Sequence, residues 1–258
     1  MHTELFGLEF DAVTLEEVVA SCDEAILVRK RMLIGVANAA KVVNLRRDPM
    51  LRASVMGCDA LLADGMSVVW ASKLLRKPLP ERVTGIDLFE GLLVLADQRG
   101  YRVYLLGATD EVVQRVAQVV RTRYPGAEIV GARNGYFTED EADAVASEIA
   151  RSEADMLFLG MTSPKKEIFL GRYADVLGAP VMHGVGGSFD VMAGVTQRAP
   201  EAWQRSGLEW AYRLKQEPRR LWRRYLKTNT TFVALTLKEL IRPTHVARVA
   251  GAAGGTLS

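Results

Sequence analysis

Asp64-Gly65 follows directly on a short apolar run, Ala60-Leu61-Leu62-Ala63, and precedes the polar stretch Arg82-Val83-Thr84-Gly85-Ile86-Asp87. A carboxylate and a glycine at the carboxyl end of a buried strand stand where an α/β sheet takes its ligands. There the Asp64 carboxylate faces substrate at the mouth of an active site. It can equally be read as the cap of a helix that starts near Met66, a common task for aspartate. Asn38 holds the matching place after a second apolar run, Met32–Val36. Asp87 is a competing carboxylate, but it opens a helix and can serve that helix's first turn instead.

A glycine-rich loop, His183-Gly184-Val185-Gly186-Gly187-Ser188-Phe189-Asp190, follows a third apolar run. Its glycines let a backbone approach a diphosphate closely and Asp190 can accept hydrogen bonds from a ribose, although turn geometry accounts for the glycines as well. No third glycine falls at the spacing of a dinucleotide fingerprint, so a nicotinamide enzyme fits poorly and no cofactor is expected. His183 is read as a satisfied structural residue. A D-x-D pair after a strand is absent, and the nearest grouping, Glu153-Ala154-Asp155, precedes its strand and lies at the wrong end of the sheet. Chemistry without a metal follows. Negative charge on a leaving diphosphate must then be met by Arg82, Lys165, Lys166, the C-terminal arginines, helix N-termini and backbone N–H groups.

These residues hang on an alternation of strands and helices. The spacing predicts a strand around Leu5–Phe10, a helix over Leu15–Lys30 with a Thr14/Glu17 capping box, and helices after Asn38 and Asp48-Pro49. Pro78 and Pro80 hold an extended linker. Further strands are expected at Tyr101–Leu106 (ending in Gly107), Ala127–Gly131, Asp155–Leu159 (ending in Gly160) and Pro180–Met182. Helices lie between them, the one after Gly160 capped by Ser163 with Pro164 in its first turn, and Asn134-Gly135-Tyr136-Phe137 is a glycine turn presenting aromatic rings. The pattern is that of an α/β, Rossmann-like, mostly parallel doubly wound sheet over residues 1–199. From Pro200 no strand follows. Residues 200–242 read as a basic helical appendage rich in Arg and Trp, and 243–258 as a mobile Gly/Ala tail.

Of the 258 residues, 49% are hydrophobic and 25% charged, which argues against disorder for the bulk of the chain. Cys22 and Cys58 make no C-x-x-C pair and read as small buried hydrophobes of a reducing compartment. With no signal-peptide pattern and no run long enough to span a bilayer, the expected location is cytoplasmic. The net charge of +2 is unevenly placed: residues 195–242 hold eleven Lys or Arg against four Asp or Glu, while 1–194 hold 21 against 27. At about 1 kcal/mol per basic residue near an anionic leaflet, a surplus of seven supports reversible adsorption. Tryptophans beside arginines favour such an interface over nucleic acid.

The Asp64-Gly65 unit, Arg82-Val83-Thr84-Gly85-Ile86-Asp87, the Gly160/Ser163-Pro164-Lys165 turn, the Gly186-to-Asp190 loop, Arg198-Ala199-Pro200, Gly207-Leu208-Glu209-Trp210 and Glu217-Pro218-Arg219-Arg220 together resemble the WecG/TagA/CpsF family of bacterial glycosyltransferases over roughly residues 5–230. The resemblance implies inverting transfer of a hexose-type sugar from a UDP donor to a polyprenyl-diphosphate-linked sugar, in the assembly of cell-surface polysaccharide or teichoic acid. By it Asp64 is the base, Asn38 and Arg82 line the same pocket, and Tyr136 and Asp190 lie near the nucleotide. The same comparison implies substrate contacts by Gly65, Thr84, Gly85, Asp87, Gly107, Gly160, Pro164, Lys165, Lys166, Glu167, Gly186, Gly187, Arg219 and Arg220. It also implies a basic tail that docks on the inner face of the cell membrane; a homo-oligomer is compatible with it. Two positions depart from the family pattern, Val36 for a threonine and Lys166 for a glutamine, and bear on sugar identity. A lysine at that turn can pair with a phosphate or with a donor carboxylate, as in a uronic acid. A regulatory protein that binds a nucleotide sugar without turnover is the alternative reading.

Overall fold

A hairpin opens the chain where the pattern suggests one continuous strand. Strands β1 (His2–Leu5) and β2 (Leu8–Asp11) pair antiparallel across Phe6-Gly7, whose φ angles are 57° and 71°. Two central residues with positive φ match the twist of the flanking strands, so the chain reverses in two residues. The computed structural model describes residues 2–216 and 218–241, apart from the side chains at positions 205, 213, 220, 221 and 224. The expected tail over 243–258 lies outside the described residues.

The elements that follow are α1 (Leu15–Leu27), β3 (Met32–Ala37), α2 (Ala39–Asn44), α3 (Pro49–Met56), β4 (Ala60–Ala63), α4 (Met66–Leu74), α5 (Gly85–Arg99), β5 (Arg102–Gly107), α6 (Asp110–Arg123) and β6 (Glu128–Arg133). After them come α7 (Ala142–Arg151), β7 (Met156–Gly160), α8 (Lys165–Tyr173), β8 (Val181–His183), α9 (Ser188–Met192), α10 (Glu201–Arg205), α11 (Glu209–Gln216) and α12 (Pro218–Ile241). The caps explain several starts. Thr14 and Glu17 form the expected capping box, and Asp48 caps α3 with Pro49 in its first turn. Ser163 does not cap α8: Pro164 takes the N-cap position and no side chain bonds there.

β3 to β8 form one six-stranded parallel sheet in the order β4-β3-β8-β7-β5-β6. Successive residues of each central strand serve opposite faces, as the pleat requires. Val103, Leu105, Met156, Phe158 and Val181 pack into a core shared with α1, α5 and α6, while Tyr104, Leu106, Leu157, Leu159 and Met182 pack with α7 and α8. Both faces are thus covered, which is why the strands read as nearly unbroken apolar runs.

A third core joins the hairpin, α2, α3 and α4 to α12 through Phe232, whose ring lies 5.1 Å from that of Phe6. Thr228, Phe232, Thr236 and Glu239 line the buried face of α12, and Leu226, Val233, Leu237, Leu240 and Ile241 lie exposed on the rest of it. At the other end of this C-terminal region, Trp203 packs edge-on against Tyr212 and Trp210 against Tyr225, which holds α10, α11 and α12 together. Among the described residues no helix is long and apolar enough to cross a membrane.

Candidate active site

Parallel strands place all their carboxyl ends along one edge, and the chain turns in opposite directions after two neighbours there. From β5 it moves outward to β6, and from β7 it moves inward to β8, so the topological switch point, where such sheets take ligands, falls between the ends of β5 and β7. Gly107 and Gly160 face each other at that point. Gly107 has φ 144°, and a Cβ on it would lie 2.5 Å from the Gly160 backbone; a Cβ on Gly160 would strike the Phe189 ring. Neither position leaves room for a Cβ, so the two glycines let the strand ends and the Phe189 ring pack together. Gly135 is tied to the same point through its N–H to the Ala108 carbonyl, and Tyr136 beside it is 76% exposed.

Toward the other edge, β3 and β4 pair Ala37 with Ala63, which sets the next residues, Asn38 and Asp64, side by side. Asn38 divides its amide between two tasks. Its Oδ1 accepts from the Lys41 N–H as the cap of α2, and its Nδ2 donates to Asp64 Oδ2 at 3.3 Å. The second oxygen of Asp64 accepts from the Gly85 N–H at 3.1 Å. Asp64 makes no cap for α4, whose N-cap is Gly65 with no side-chain bond. The carboxylate is therefore oriented by donors from two other loops and is partly accessible at the sheet edge. A Cβ on Gly65 would press on Asn38 Cβ at 3.3 Å, so the glycine permits the approach of the two strand ends.

His183, at the end of β8, is fully buried, with Nε2 3.2 Å from the Gly85 carbonyl and Nδ1 3.4 Å from that of Ile34. Burial pulls its pKa down to about 4, so the ring is neutral at pH 7 and ties α5's first residue to the sheet. That is the structural role expected of it, and it indirectly sets the Gly85 N–H against Asp64. Val36 lines the same spot, its Cγ2 3.9 Å from where a Gly85 Cβ would stand.

Beside Asp64 sits a group of buried charges. Lys41 Nζ meets Glu167 Oε1 at 2.7 Å, and Lys166 Nζ donates to the Gly184 carbonyl at 2.8 Å while lying 3.8 Å from the same Glu167 oxygen. Burial, aided by the Lys41 charge, pulls Lys166 down to about 8; the nearby Glu167 and Asp64 act the other way. Glu167 Oε2 is buried without a hydrogen-bond partner. Lys41 escaped the sequence reading. Its only signal is that it stands in the first turn after the Asn38 cap.

The remaining expected residues divide. Lys165 braces the aromatic turn, donating to the Gly135 and Phe137 carbonyls at 3.0 and 3.2 Å with its ammonium 4.3 Å from the Phe137 ring centre. Arg82 meets Glu209 of α11 at 2.5 Å. Thr84 caps α5 and donates its hydroxyl to Asp87 at 2.6 Å, and Asp87 in turn is held by Arg198. Arg82 and Asp87 thus belong to a network with the C-terminal helices, one that brings in Arg198 and Glu209. Asp190, on α9 behind Gly186 and Gly187, has its pKa raised by burial. Arg219 is exposed on α12, and the Arg220 side chain lies outside the described residues.

The Glu153-Ala154-Asp155 carboxylates are at the amino end of β7. Asp155 is held there by Arg29 and by the Arg102 N–H. Among the described residues no three His, Cys, Asp or Glu side chains gather in a way that would hold a metal ion. Burial pushes the thiols of Cys22 and Cys58 up to about 12, as suits unreactive residues.

An oriented carboxylate at one strand end, paired glycines at the switch point and buried lysines between them are groups of the kind that group transfer to a hydroxyl requires. Comparison with known proteins identifies the family. A profile of the "Glycosyl transferase WecG/TagA/CpsF family" matches residues 3–246. An N-acetylglucosaminyldiphosphoundecaprenol N-acetyl-beta-D-mannosaminyltransferase of Bacillus spizizenii is 40% identical over 197 residues, 76% of each chain. A profile match over nearly the whole length and a relative of that identity lead to one assignment: the chain belongs to the WecG/TagA/CpsF family of glycosyl transferases.

Proposed function

We propose that this glycosyltransferase moves a sugar from a UDP-sugar to a polyprenyl-diphosphate-linked saccharide, with inversion and without a metal, in the building of cell-surface polysaccharide. The observation that carries this reading is the double anchoring of Asp64 by Gly85 and Asn38 at the carboxyl end of β4. A carboxylate so fixed is poised to take the proton of an acceptor hydroxyl as that oxygen attacks opposite the leaving UDP. The switch point at Gly107 and Gly160 is the seat for the nucleotide, with Tyr136 and Asp190 at its margins. The name of the Bacillus spizizenii relative, which acts on an N-acetylglucosaminyl-diphosphoundecaprenol, supports an acceptor of that class here.

The basic helical region from residue 200 is the membrane-docking part of this reading, on the inner face of the cell membrane. Exposed Arg219 and Arg223, half-exposed Trp210 and Trp222, and the exposed apolar residues of α12 support it. Such a mixture suits the interfacial zone of an anionic leaflet.

The test is mass analysis of product from a panel of UDP-sugars offered with an N-acetylglucosaminyl-diphosphopolyprenol, with and without EDTA. Sugar transfer that EDTA leaves unchanged is the expected result. Saturable UDP binding with no product from any pair would favour the regulatory alternative, and activity lost in EDTA and restored by a divalent ion would overturn the metal-free mechanism.

A further inference from the structure

The cations at the ligand edge of the sheet are unequally committed. Arg82 is 2.5 Å from a carboxylate of Glu209, Arg198 is paired with Asp87, and Lys165 is spent on two carbonyls and an aromatic face. Lys41 holds Glu167 at 2.7 Å. Lys166 differs from all of these. Among the described residues its close hydrogen bond is to a neutral carbonyl, that of Gly184, and Glu167, the carboxylate 3.8 Å away, is held more closely by Lys41. Its side chain lies directly against the glycine loop: a Cβ on Gly184 would come within 3.0 Å of Lys166 Cδ, and one on Gly186 within 3.3 Å of Nζ. Only 8% of Lys166 is exposed, so its charge is poorly screened by water.

We propose that Lys166 is a positioning residue whose ammonium, pinned beneath the Gly184–Gly187 loop, holds that loop and supplies the positive potential against which the donor's diphosphate binds and leaves. This rests on the UDP-sugar reading above and adds to it a source of charge and a pH limit. In the transfer, the bond from the sugar's anomeric carbon to the phosphate oxygen breaks with its electron pair passing to that oxygen. The acceptor oxygen forms the new bond, and its proton goes to Asp64. The negative charge that gathers on the diphosphate is what a fixed cation nearby stabilises.

The groups facing Lys166 are Lys41 from α2, Asp64 after β4, Glu167 on α8 itself, and His183 on β8, with Cys58 farther along the same cluster. His183 titrates near 4 and Cys58 near 12, whereas Lys166 has been brought to about 8. A terminal phosphate is nearly fully ionised above about pH 7 and uridine carries the same uracil ring, so a fall in UDP affinity that uridine does not share reports a charge beside the diphosphate.

Calorimetric titration of the full chain with UDP and with uridine, between about pH 7 and about pH 9.5, tests the proposal on the wild type, Lys166→Gln and Lys166→Met. The wild type is expected to lose about tenfold in UDP affinity across this range, as an interaction between charges in a poorly screened site implies. Both variants should bind UDP about tenfold more weakly at pH 7, with no further fall, and uridine affinity should be the same in all three. Wild-type UDP affinity in the variants overturns the proposal. An equal loss of uridine and UDP affinity also overturns it, because the lysine would then be holding only the loop's shape. If the wild type binds neither compound, the UDP-sugar reading falls together with it.

Discussion

Arg82 and Glu209 stand 127 residues apart in sequence and 2.5 Å apart in space, with side chains only 13% and 21% exposed. Through this contact the loop that delivers Gly85 to Asp64 is tied to α11. Gly207, just before α11, adds a close approach: a Cβ there would lie 2.6 Å from Met66 Cβ at the start of α4. The C-terminal helices are thus joined to the core next to the candidate base.

Glu209→Gln should lower stability by about 1–3 kcal/mol, because it leaves a half-buried guanidinium short of its carboxylate. A denaturant double-mutant cycle with Arg82→Gln should show coupling of about 1 kcal/mol or more. Strict additivity would mean that the two side chains touch without stabilising the junction.

His183 sets an acid limit. Its pKa is about 4 in the fold against the ordinary 6.5, so the unfolded chain binds more protons between those values. Stability contributed by the neutral ring is full above about pH 6.5 and is lost as pH falls toward 4, by roughly 3 kcal/mol at most. Denaturant midpoints for the wild type and His183→Gln over this window should show a shallower acid loss in the variant. Equal slopes would assign the acid sensitivity to other groups.

Membrane docking through α12 is tested better by charge than by truncation. Removing everything after residue 199 would also strip Phe232 from the Phe6 ring and uncover the core shared by the hairpin, α2 and α4. Replacing exposed Arg219 and Arg223 together by Gln leaves that packing alone. At about 1 kcal/mol per basic residue the pair should weaken sedimentation with anionic vesicles by tenfold or more. Added salt should narrow the difference, since exposed charges are screened over about 8 Å at physiological ionic strength. Binding equal to that of the wild type at low salt would remove these arginines from the docking surface.

The sheet was legible in the sequence because strands buried on both faces are written as apolar runs, such as Ala60–Ala63 and Val103–Leu106. The caps at Thr14 and Asp48 were legible too, since each acts within three residues of itself, whereas Ser163 gives no cap and the Thr84 cap was not read. The hairpin at Phe6-Gly7 was not, because a phenylalanine at positive φ carries no turn signal. Asp64 shows where local reasoning stops. Cap and base are both open to an aspartate before a helix, and Asp64 does not cap α4 because its oxygens go to Gly85, 21 residues away, and to Asn38, 26 residues away. The partners of Arg82 and Lys165 are equally remote. Their charges were readable as a supply for a diphosphate, but not that Glu209 and the 135–137 carbonyls already engage them.

The central claim is that Asp64 is the base of the transfer, and one paired measurement bears on it most directly: kcat on a soluble acceptor analogue beside UDP affinity, for the wild type, Asp64→Asn and Asp87→Asn. Asp64→Asn keeps the shape and the Gly85 contact but gives up the proton acceptor. It should keep the UDP affinity while turnover falls by about 10²–10⁴-fold, the usual worth of a general base. Asp87, held by Thr84 and Arg198, should matter less to turnover. Near-normal turnover in Asp64→Asn would contradict the account, and weakened UDP binding with unchanged turnover would make Asp64 a donor contact instead.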